Sequence, residues 1–409
     1  MTSAATVPSH WKSGNIRRFA QMKSGHTPSR TVAAYWENAE IPWFTLADVW
    51  QLRDGKQIYL GDTTNKINEL GLANSAADLL PAGTVVLSRT ASVGFSGIMP
   101  RPMATSQDFW NWVCGPDLLP EYLNYQFKSM SAEFKSLNMG STHQTIYQKD
   151  AARLQIVVPP QGEQRGIIDY LDRETARIDT LIEEQQRLVD LLRERRAGVL
   201  SEAFEACPST ETTKVGRLLT ARPSYGVLVP RYVDEEAGVP LVRAGDLLNL
   251  APQRPMPAIA PEQSDEYSRT KIVGGEVLLG VVGKMGQAAL APRWLAGANV
   301  ARAVAVLRCK EPLVARLLCA WLGSNSFLYQ ADLATSGDSI QPTLGMKDLA
   351  RFDINLPTDP NAADELTRRL AKIDIMIDET RKFIELARER RSALITAAVT
   401  GQIDVREMA

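Results

Sequence analysis

Apolar residues recur at intervals of three and four positions through residues 159–206, a pattern that predicts one long helix. Between Gly166 and Gly198 no glycine or proline interrupts it. Such a helix needs a partner for its seam, meaning the apolar stripe that faces another helix, and here the predicted seam has polar interruptions at Gln185 and Arg195. The apolar members of the predicted seam are Ile167, Leu171, Ile178, Leu181, Leu188, Leu192 and Val199.

The same pattern returns near the C-terminal end at a constant displacement of 195 residues. The matching segments are Ile178-Asp179 with Ile373-Asp374, and the Arg-Glu-Arg-Arg runs at 193–196 and 388–391. The seam of this second helix is predicted to include Ile373, Met376 and Phe383. The connection near residues 357–360 is too short to carry the chain back for parallel pairing, so we expect antiparallel helices.

Short apolar runs bounded by turn residues predict strands ahead of each long helix. In the first half, strands are predicted at 84–87, 109–113 and 154–158, with an extended piece at 42–49 and a helix at 118–137. The second half repeats this order, with matching segments at 240–247, 275–279, 303–309 and 346–351. The predicted fold is α+β, with two pseudo-two-fold-related mixed α/β globules separated by two long antiparallel coiled-coil helices. The predicted domains are 1–158, 159–206, 207–357 and 358–409.

Composition narrows the class of protein. A chain of 409 residues suits two or three domains, and a formal charge of −1 argues against binding nucleic acid by bulk charge alone. Four cysteines without a CxxC pair, and only three histidines, predict neither a zinc site nor a disulfide framework. With no apolar run long enough to span a bilayer, we expect a cytoplasmic protein that does not bind membranes.

Motifs that would carry catalysis are missing from the sequence. The Gly-Lys step at 283–284 is not a phosphate-binding loop, because Leu278 and Met285 stand where glycine and serine or threonine are required. Asp117 with Glu121 lacks the lysine of a nuclease site, and the histidines lack metal-ligand spacing. A binding or scaffolding function is therefore favoured over an enzyme, with no catalytic residue and no metal site.

Several short motifs occur in a fixed order along the two halves. They are Pro8 to Trp11, residues 24–29, Leu87-Ser88-Arg89, residues 105–109, residues 140–144, the run Pro-Pro-Gln-Gly-Glu-Gln at 159–164, and residues 395–403. In this order, together with the duplication, the chain resembles the DNA specificity subunit of type I restriction-modification systems over nearly its whole length. The second helix lacks the Glu-Gln step at its start, which predicts that the two partner-docking surfaces differ.

The resemblance implies that each globule is a target recognition domain for one half of a bipartite, asymmetric site in double-stranded DNA, and that the helices set the spacer. It also implies docking of two copies of an adenine methyltransferase subunit that uses S-adenosylmethionine, and of motor-nuclease subunits that use ATP and magnesium. This chain itself would bind no cofactor. The residues expected to serve partner docking or the helix seam are Ile178, Leu181, Leu188, Leu192, Ile373, Met376 and Phe383.

Bases are read in the major groove by arginine, lysine, asparagine and glutamine side chains, and the loops of the globules offer such residues. The candidates for DNA contact are Arg89, Ser92, Gln144, Lys284, Arg302 and Gln341. For Arg89 the alternative is a structural pair with a carboxylate, and for the two glutamines it is capping of backbone groups. The arginines of the two Arg-Glu-Arg-Arg runs are interpreted as solvated helix faces, except that Arg195 and Arg390 are placed on the seam.

A second hypothesis remains open: a free-standing coiled-coil scaffold or DNA-binding regulator. A symmetric regulator would gain from two alike reading domains, whereas these two globules have diverged in most surface residues. That divergence favours the specificity subunit and predicts an asymmetric DNA site.

Overall fold

The computed structural model describes residues 7–136, 145–205, 209–234, 237–283, 285–335 and 342–405. The chain divides into two compact units, the first formed by residues 1–186 with 382–409 and the second by residues 187–381. Each unit combines one globule with one segment of each long helix. The four predicted sequence domains stay a prediction, since the compact units divide within the long helices.

The first unit is built on a four-stranded antiparallel sheet in the order β2-β8-β5-β6 and a three-stranded sheet in the order β4-β3-β7. An antiparallel pair, β1 with β9, joins the start of the globule to its last strand. The strands are β1 Lys12–Asn15, β2 Ala20–Ser24, β3 Ile41–Phe44, β4 Asn65–Ile67, β5 Val85–Ser88, β6 Ser96–Ile98, β7 Ala104–Thr105, β8 Phe109–Cys114 and β9 Gln155–Val158. The helices are α1 Glu69–Ala73, α2 Pro120–Ser129, α3 Ser131–Ser136, α4 Gln148–Ala151 and α5 Gln161–Phe204, which continues into the second unit.

The second unit repeats this topology, with a four-stranded sheet in the order β11-β18-β15-β16, a second sheet in the order β12-β14-β13-β17, and the pair β10 with β19. Its strands are β10 Thr210–Lys214, β11 Ser224–Tyr225, β12 Tyr232–Val233, β13 Val239–Val242, β14 Ala258–Ile259, β15 Val277–Gly280, β16 Ala288–Leu290, β17 Asn299–Val300, β18 Val304–Leu307 and β19 Asp353–Pro357. Its helices are α6 Val215–Leu218, α7 Pro261–Glu266, α8 Pro312–Trp321, α9 Asn325–Thr335, α10 Met346–Arg351 and α11 Pro360–Val399, which continues into the first unit. In both units the second sheet contains one parallel pair, β3 with β7 and β13 with β17.

Two predicted elements of the first globule differ from the structure. Only the start of the extended piece at 42–49 is a strand; a 3₁₀ helix follows from Leu46 to Leu52. The turn forms because the buried Asp48 carboxylate accepts hydrogen bonds from the Thr45 amide and hydroxyl at 2.9 and 3.1 Å. The single helix predicted at 118–137 is two helices, since α2 ends at Ser129 and α3 begins at Ser131.

The Pro-Pro-Gln-Gly-Glu-Gln run fastens the start of α5 to the first globule. Gln164 is fully buried; its amide oxygen accepts from the Leu119 amide at 2.9 Å, and its nitrogen donates to the carbonyls of Asp117 and Pro159. The Glu163 carboxylate accepts from the Trp11 indole at 3.0 Å and contacts His10. These two side chains therefore position the helix relative to its own globule.

The observed seam follows steps of three and four residues along both long helices, as a coiled coil requires; the steps alternate except at Arg391, where two steps of four follow one another. On α5 it comprises Ile168, Leu171, Thr175, Ile178, Ile182, Gln185, Val189, Leu192, Arg196 and Val199. On α11 it comprises Ala363, Leu366, Leu370, Ile373, Ile377, Thr380, Ile384, Ala387, Arg391, Ile395 and Ala398. Ile178, Leu192 and Ile373 lie on this seam.

Four of the residues expected to serve partner docking or the helix seam lie one position before the observed seam. Leu181, Leu188, Met376 and Phe383 are 36, 37, 39 and 44% exposed, whereas the residue after each is buried or half-buried. The sequence has two adjacent apolar residues at each of these points, and the three-four rhythm continues through the second, a β-branched residue in every case. Arg195 and Arg390 are likewise exposed, and their C-terminal neighbours Arg196 and Arg391 occupy the seam.

Within the described ranges, no helix is both long enough and apolar enough to cross a membrane.

Candidate nucleic-acid interface

Two loops of the first globule meet at the ends of its central strands. The loop after β5 contains Arg89 and Ser92, and the Ile146 amide donates to the Arg89 carbonyl at 2.8 Å. Thr90 and Thr145 form an isolated β-bridge beside this bond. The structure thus brings Arg89 and Ser92 next to residue 145. Gln144 itself lies outside the described residues.

The second globule joins the corresponding loops in the same way. The Leu344 amide donates to the Val281 carbonyl at 2.9 Å, and Val282 forms an isolated β-bridge with Thr343. The Gly283 amide donates to the Pro342 carbonyl at 3.0 Å. Lys284 and Gln341 lie outside the described residues, but each is the chain neighbour of one partner in this last bond. Both globules therefore pair the same two loops at the same place in the fold.

Arg89 stacks on an aromatic ring. Its guanidinium carbon lies 4.2 Å from the centroid of the Trp110 ring, and the Trp110 indole is held by a 2.9 Å hydrogen bond to the Ile146 carbonyl. Within the part of the chain that the structure describes, the buried Nε of Arg89 has no hydrogen-bond partner. Burial lowers the pKa of Arg89, with the charge of Asp108 opposing the shift, but a guanidinium stays protonated at neutral pH. Arg89 is thus a charged side chain that the Trp110 ring holds in one orientation.

The loop that carries Ser92 has an unusual backbone. Ala91 has a φ of +59°, a left-handed conformation that costs a non-glycine residue energy, and the Ser92 amide donates to the Thr90 carbonyl at 2.6 Å. Gly94 follows with a φ of +89° and packs against Phe134, whose side chain would lie 3.2 Å from an added Cβ. This tight turn holds Ser92 half-exposed at the tip of the loop.

Arg302 lies in the turn between β17 and β18, where it is exposed and its amide donates to the Val227 carbonyl at 2.8 Å. The residue that occupies the same turn of the first globule is Gln107, which is also exposed and accepts a 2.6 Å hydrogen bond from the Thr27 hydroxyl. Sequence reasoning missed Gln107. The internal repeat could have identified Gln107. Residues 108–114 match residues 303–309, and Gln107 and Arg302 are the residues directly before these two segments.

The long helices contribute a second set of polar contacts, one within each unit. In the first unit, Arg391 pairs with Asp179 at 3.0 Å, and both side chains are 15% exposed. In the second unit, Arg196 pairs with Asp374 at 2.7 Å, with side chains 30 and 49% exposed. The two pairs are repeat equivalents: the last arginine of each Arg-Glu-Arg-Arg run binds the aspartate of the Ile-Asp step on the other helix. The interpretation of Arg196 and Arg391 as solvated residues was wrong for this reason.

The first of these pairs also reaches the globule. Arg391 Nη2 and Lys128 Nζ both donate to the Gly55 carbonyl, at 3.0 and 2.9 Å. Gly55 has a φ of +70°, which a residue with a side chain adopts only under strain. Desolvation, and to a smaller extent the charge of Arg391, lower the pKa of Lys128 to about 8. The Gly55 carbonyl thus accepts hydrogen bonds from two positively charged side chains, both of which belong to helices.

The carboxylates weighed as a nuclease pair have structural partners. Asp117 forms a 2.6 Å ion pair with Lys12, and Glu121 accepts a hydrogen bond from the Tyr59 hydroxyl. Tyr59 has its pKa raised to about 12, chiefly by that hydrogen bond. A search of the described residues finds no group of three or more histidine, cysteine, aspartate or glutamate side chains arranged to hold a metal ion.

This architecture is similar to that of known proteins. Residues 8–189 match the family model described as the type I restriction modification DNA specificity domain. The specificity subunit of the type I restriction enzyme MjaIX of Methanocaldococcus jannaschii is 28% identical over 193 residues, which are 47% of this chain and 43% of that protein. The EcoBI specificity subunit of Escherichia coli is 24% identical over 314 residues, 68% of this chain and 65% of that protein. The chain therefore spans less than two thirds of the length of either relative.

Two solved structures share the fold. A chain from a structure on complex assembly and conformational transition of the type I R-M system superposes with a TM-score of 0.68 at 16% identity, covering 98% of this chain and 100% of that one. The HsdS subunit from Thermoanaerobacter tengcongensis gives a TM-score of 0.52 at 16% identity, with the same coverage. These likenesses confirm the predicted fold class of repeated mixed α/β globules with two long helices.

Residues 8–189 thus match the DNA specificity domain of type I restriction-modification systems, and partial similarity to the specificity subunits of such systems extends beyond that domain. The whole chain shares its fold with the two solved structures.

Proposed function

We propose that this chain is the non-catalytic specificity subunit of a type I restriction-modification complex, and that each unit reads one half of a bipartite, asymmetric site in double-stranded DNA. The observation that carries the proposal is the paired loops, which recur at the same place in both globules with different side chains. A repeated scaffold with diverged loops is what two different half-sites require.

The chemistry of the two loop regions supports different half-sites. Beside the turn of Gln107, the first globule presents the hydroxyl of Thr27. At the matching positions near Arg302, the second globule presents Leu228 and Val229, which are 56 and 76% exposed. Glutamine pairs best with adenine, arginine with guanine, and apolar side chains with the thymine methyl group. We therefore expect the second half-site to differ from the first in these contacts.

The long helices are proposed to fix the spacer between the half-sites. Within each unit the segments of α5 and α11 run antiparallel. In the first unit, Asp179 pairs with Arg391, while residues near the start of α5 pack in one core with Ile395 and Val399. In the second, Arg196 pairs with Asp374, and the Phe204 carbonyl accepts a bond from Asn355, just ahead of α11. A rigid helix pair of this kind suits a ruler between two reading domains.

Docking of two methyltransferase subunits is proposed on the exposed apolar residues that flank the seam. Leu181 and Phe383 belong to the first unit and Leu188 and Met376 to the second, so each unit offers one residue from α5 and one from α11. Leu181 matches Met376 in the repeat, and Leu188 matches Phe383. Exposed apolar side chains that recur twice support two copies of one partner. S-adenosylmethionine would be bound by that partner, and ATP with magnesium by a motor-nuclease subunit.

The test is co-expression with the adenine methyltransferase encoded beside this chain, followed by mapping of methylated adenines in host DNA. A split, asymmetric motif that disappears when this chain is omitted is the expected result. Exchange of residues 209–357 for those of a related chain should change one half of the motif only. An unchanged methylation pattern with and without this chain, despite a formed complex, would reject the proposal.

A heptad inserted into both helices tests the ruler. Seven residues add about 10.5 Å of helix, which corresponds to about three base pairs at ~3.4 Å each. The motif is expected to keep both half-sites and to lengthen its spacer, or to be lost. Retention of the original spacer would show that the helices do not set it.

A further inference from the structure

The arginines of the two interhelical ion pairs occupy seam positions, and each of their aspartates directly follows a seam isoleucine. Between Asp374 and Arg391, the seam residues of α11 are isoleucine, threonine and alanine. Charged groups at such positions add little net stability, because desolvation offsets their attraction. Their best-attested use is to select one register among several that an apolar seam would accept.

The sequence shows that only the observed stagger satisfies both pairs. Sliding α11 by one heptad in one direction would place Gln186 opposite Arg391 and Arg381 opposite Arg196. Sliding it in the other direction would place Asp172 opposite Arg391 but Thr367 opposite Arg196. Either slip therefore leaves at least one arginine without a carboxylate, and the first brings two arginines together.

The pair in the first unit has a further consequence for its globule. Arg391 holds Asp179 with Nε while Nη2 donates to the Gly55 carbonyl, so one guanidinium joins both helices and a loop of the globule. Lys128 donates to the same carbonyl from α2. The Arg391 side chain thus contacts both the other helix and the globule. It links the stagger of the two helices to the position of the globule on them.

We propose that Arg196 and Arg391 are positioning residues that fix the stagger of α5 and α11 and thereby restrict the protein to one spacer length between its half-sites. This inference rests on the proposed function. Neither arginine contacts DNA in this account; each acts through the helix register.

The test uses the complex of the full chain with its methyltransferase and three duplexes that carry the mapped half-sites. One duplex has the native spacer, and the others are about three base pairs longer and about three base pairs shorter, the change that corresponds to one heptad of helix. The informative variant replaces both pairs by apolar residues, with Arg196→Met and Asp374→Leu in the second unit and Arg391→Met and Asp179→Leu in the first. The matched control is Arg195→Met with Arg390→Met, which changes the exposed neighbours.

The expected result is that preference for the native spacer, measured as the ratio of kcat/KM values, falls about tenfold or more in the apolar variant and stays unchanged in the control. A purely structural role would lower the rates on all three duplexes together and leave the ratio intact. An apolar variant that discriminates as sharply as the wild type overturns the inference.

A second pair of variants decides the matter if the fourfold substitution fails to fold. The ion pair in the second unit is partly exposed, so substitutions there should destabilise the fold less than substitutions in the first unit. Arg196→Asp alone sets two aspartates against each other and should loosen the spacer preference, while Arg196→Asp with Asp374→Arg should restore it. Equal spacer preference in both variants overturns the inference. If the wild-type complex methylates no split motif, the proposed function itself fails, and the inference fails with it.

Discussion

Removal of residues 395–409 is expected to unfold the first unit, although its globule lies at the other end of the sequence. Ile395, Ala398, Val399 and Val405 are buried in the same core as the sheet and α2 of that globule. The Val399 carbonyl also accepts hydrogen bonds from the Tyr122 hydroxyl at 3.0 Å and the Gln126 amide at 2.9 Å. The end of α11 and the residues after it therefore form part of the core of the first globule.

The size of the effect follows from burial. Ile395, Val399 and Val405 are 3, 0 and 7% exposed, and burial of such side chains contributes about 1.5–3 kcal/mol each. Loss of the Val399 carbonyl also removes the acceptor of the Tyr122 hydroxyl, at a cost of about 1–3 kcal/mol, whereas the Gln126 amide keeps its bonds to the Tyr122 hydroxyl and the Val157 carbonyl. The total is comparable with the ~5–15 kcal/mol that stabilises a typical domain.

Hydrogen exchange of the truncated chain is the assay. Amides of β2, β5 and β8 are expected to lose protection, whereas those of β15 and β18 in the second unit keep it, and a peptide of residues 382–409 added in trans should restore the first set. The control is Leu386→Ala on the same helix, a 63% exposed residue whose replacement should change stability by less than about 0.5 kcal/mol. Full protection of β2, β5 and β8 in the truncated chain would refute the reasoning.

Three further results are expected. Arg89→Ala should lower site-specific methylation about tenfold or more, and Arg89→Lys should recover only part of it, because lysine keeps the charge but not the planar fork. Leu181→Glu with Phe383→Glu should weaken binding of the methyltransferase subunit about tenfold in calorimetry, since carboxylates would have to be desolvated at the contact. Lys128 has a folded pKa of about 8 against 10.5 ordinarily, so between these values the unfolded chain binds more protons and wild-type stability rises with pH. The stability gained by Lys128→Met should therefore be largest near pH 7 and shrink by about pH 9.5 in urea denaturation.

Each of these expectations has a contrary outcome. Normal methylation by Arg89→Ala would remove that residue from the reading surface. Undiminished binding by the double glutamate variant would move the docking surface away from these residues. A stability difference for Lys128→Met that does not vary with pH would mean that the amine is not desolvated in the folded chain.

Much of the fold was accessible from sequence because it is repeated. The strands at 84–87, 109–113 and 154–158 and both long helices were predicted from periodicity, and the structure places β5, β8, β9, α5 and α11 there within a few residues. The 3₁₀ turn after Thr45 escaped prediction because it depends on one buried carboxylate, Asp48, which also accepts from the amide of Thr64 far along the chain. Local propensity carries no information about such a partner.

The seam shows the limit of periodicity more sharply. Where two adjacent residues are both apolar, as at 181–182 and 383–384, spacing alone does not decide which one faces the partner helix. The half-buried Arg196 and Arg391, each paired with an aspartate of the other helix, lie in the same phase as the second residue of each such pair. The sequence-based interpretation assigned Arg196 and Arg391 to solvent. It therefore left out the two residues whose positions indicate the phase of the seam.

The division of the chain into units has a consequence for synthesis. The second unit is a single stretch, residues 187–381, whereas the first needs residues 382–409 to complete its core. At roughly 5–20 residues per second, a ribosome that has finished residue 186 needs on the order of 10–40 s more to deliver that last segment. The globule translated first is therefore the one completed last. Until residues 382–409 are synthesised, the apolar core residues of the first globule that pack against this segment stay exposed. During that time they can bind chaperones or cause aggregation, while the second globule folds.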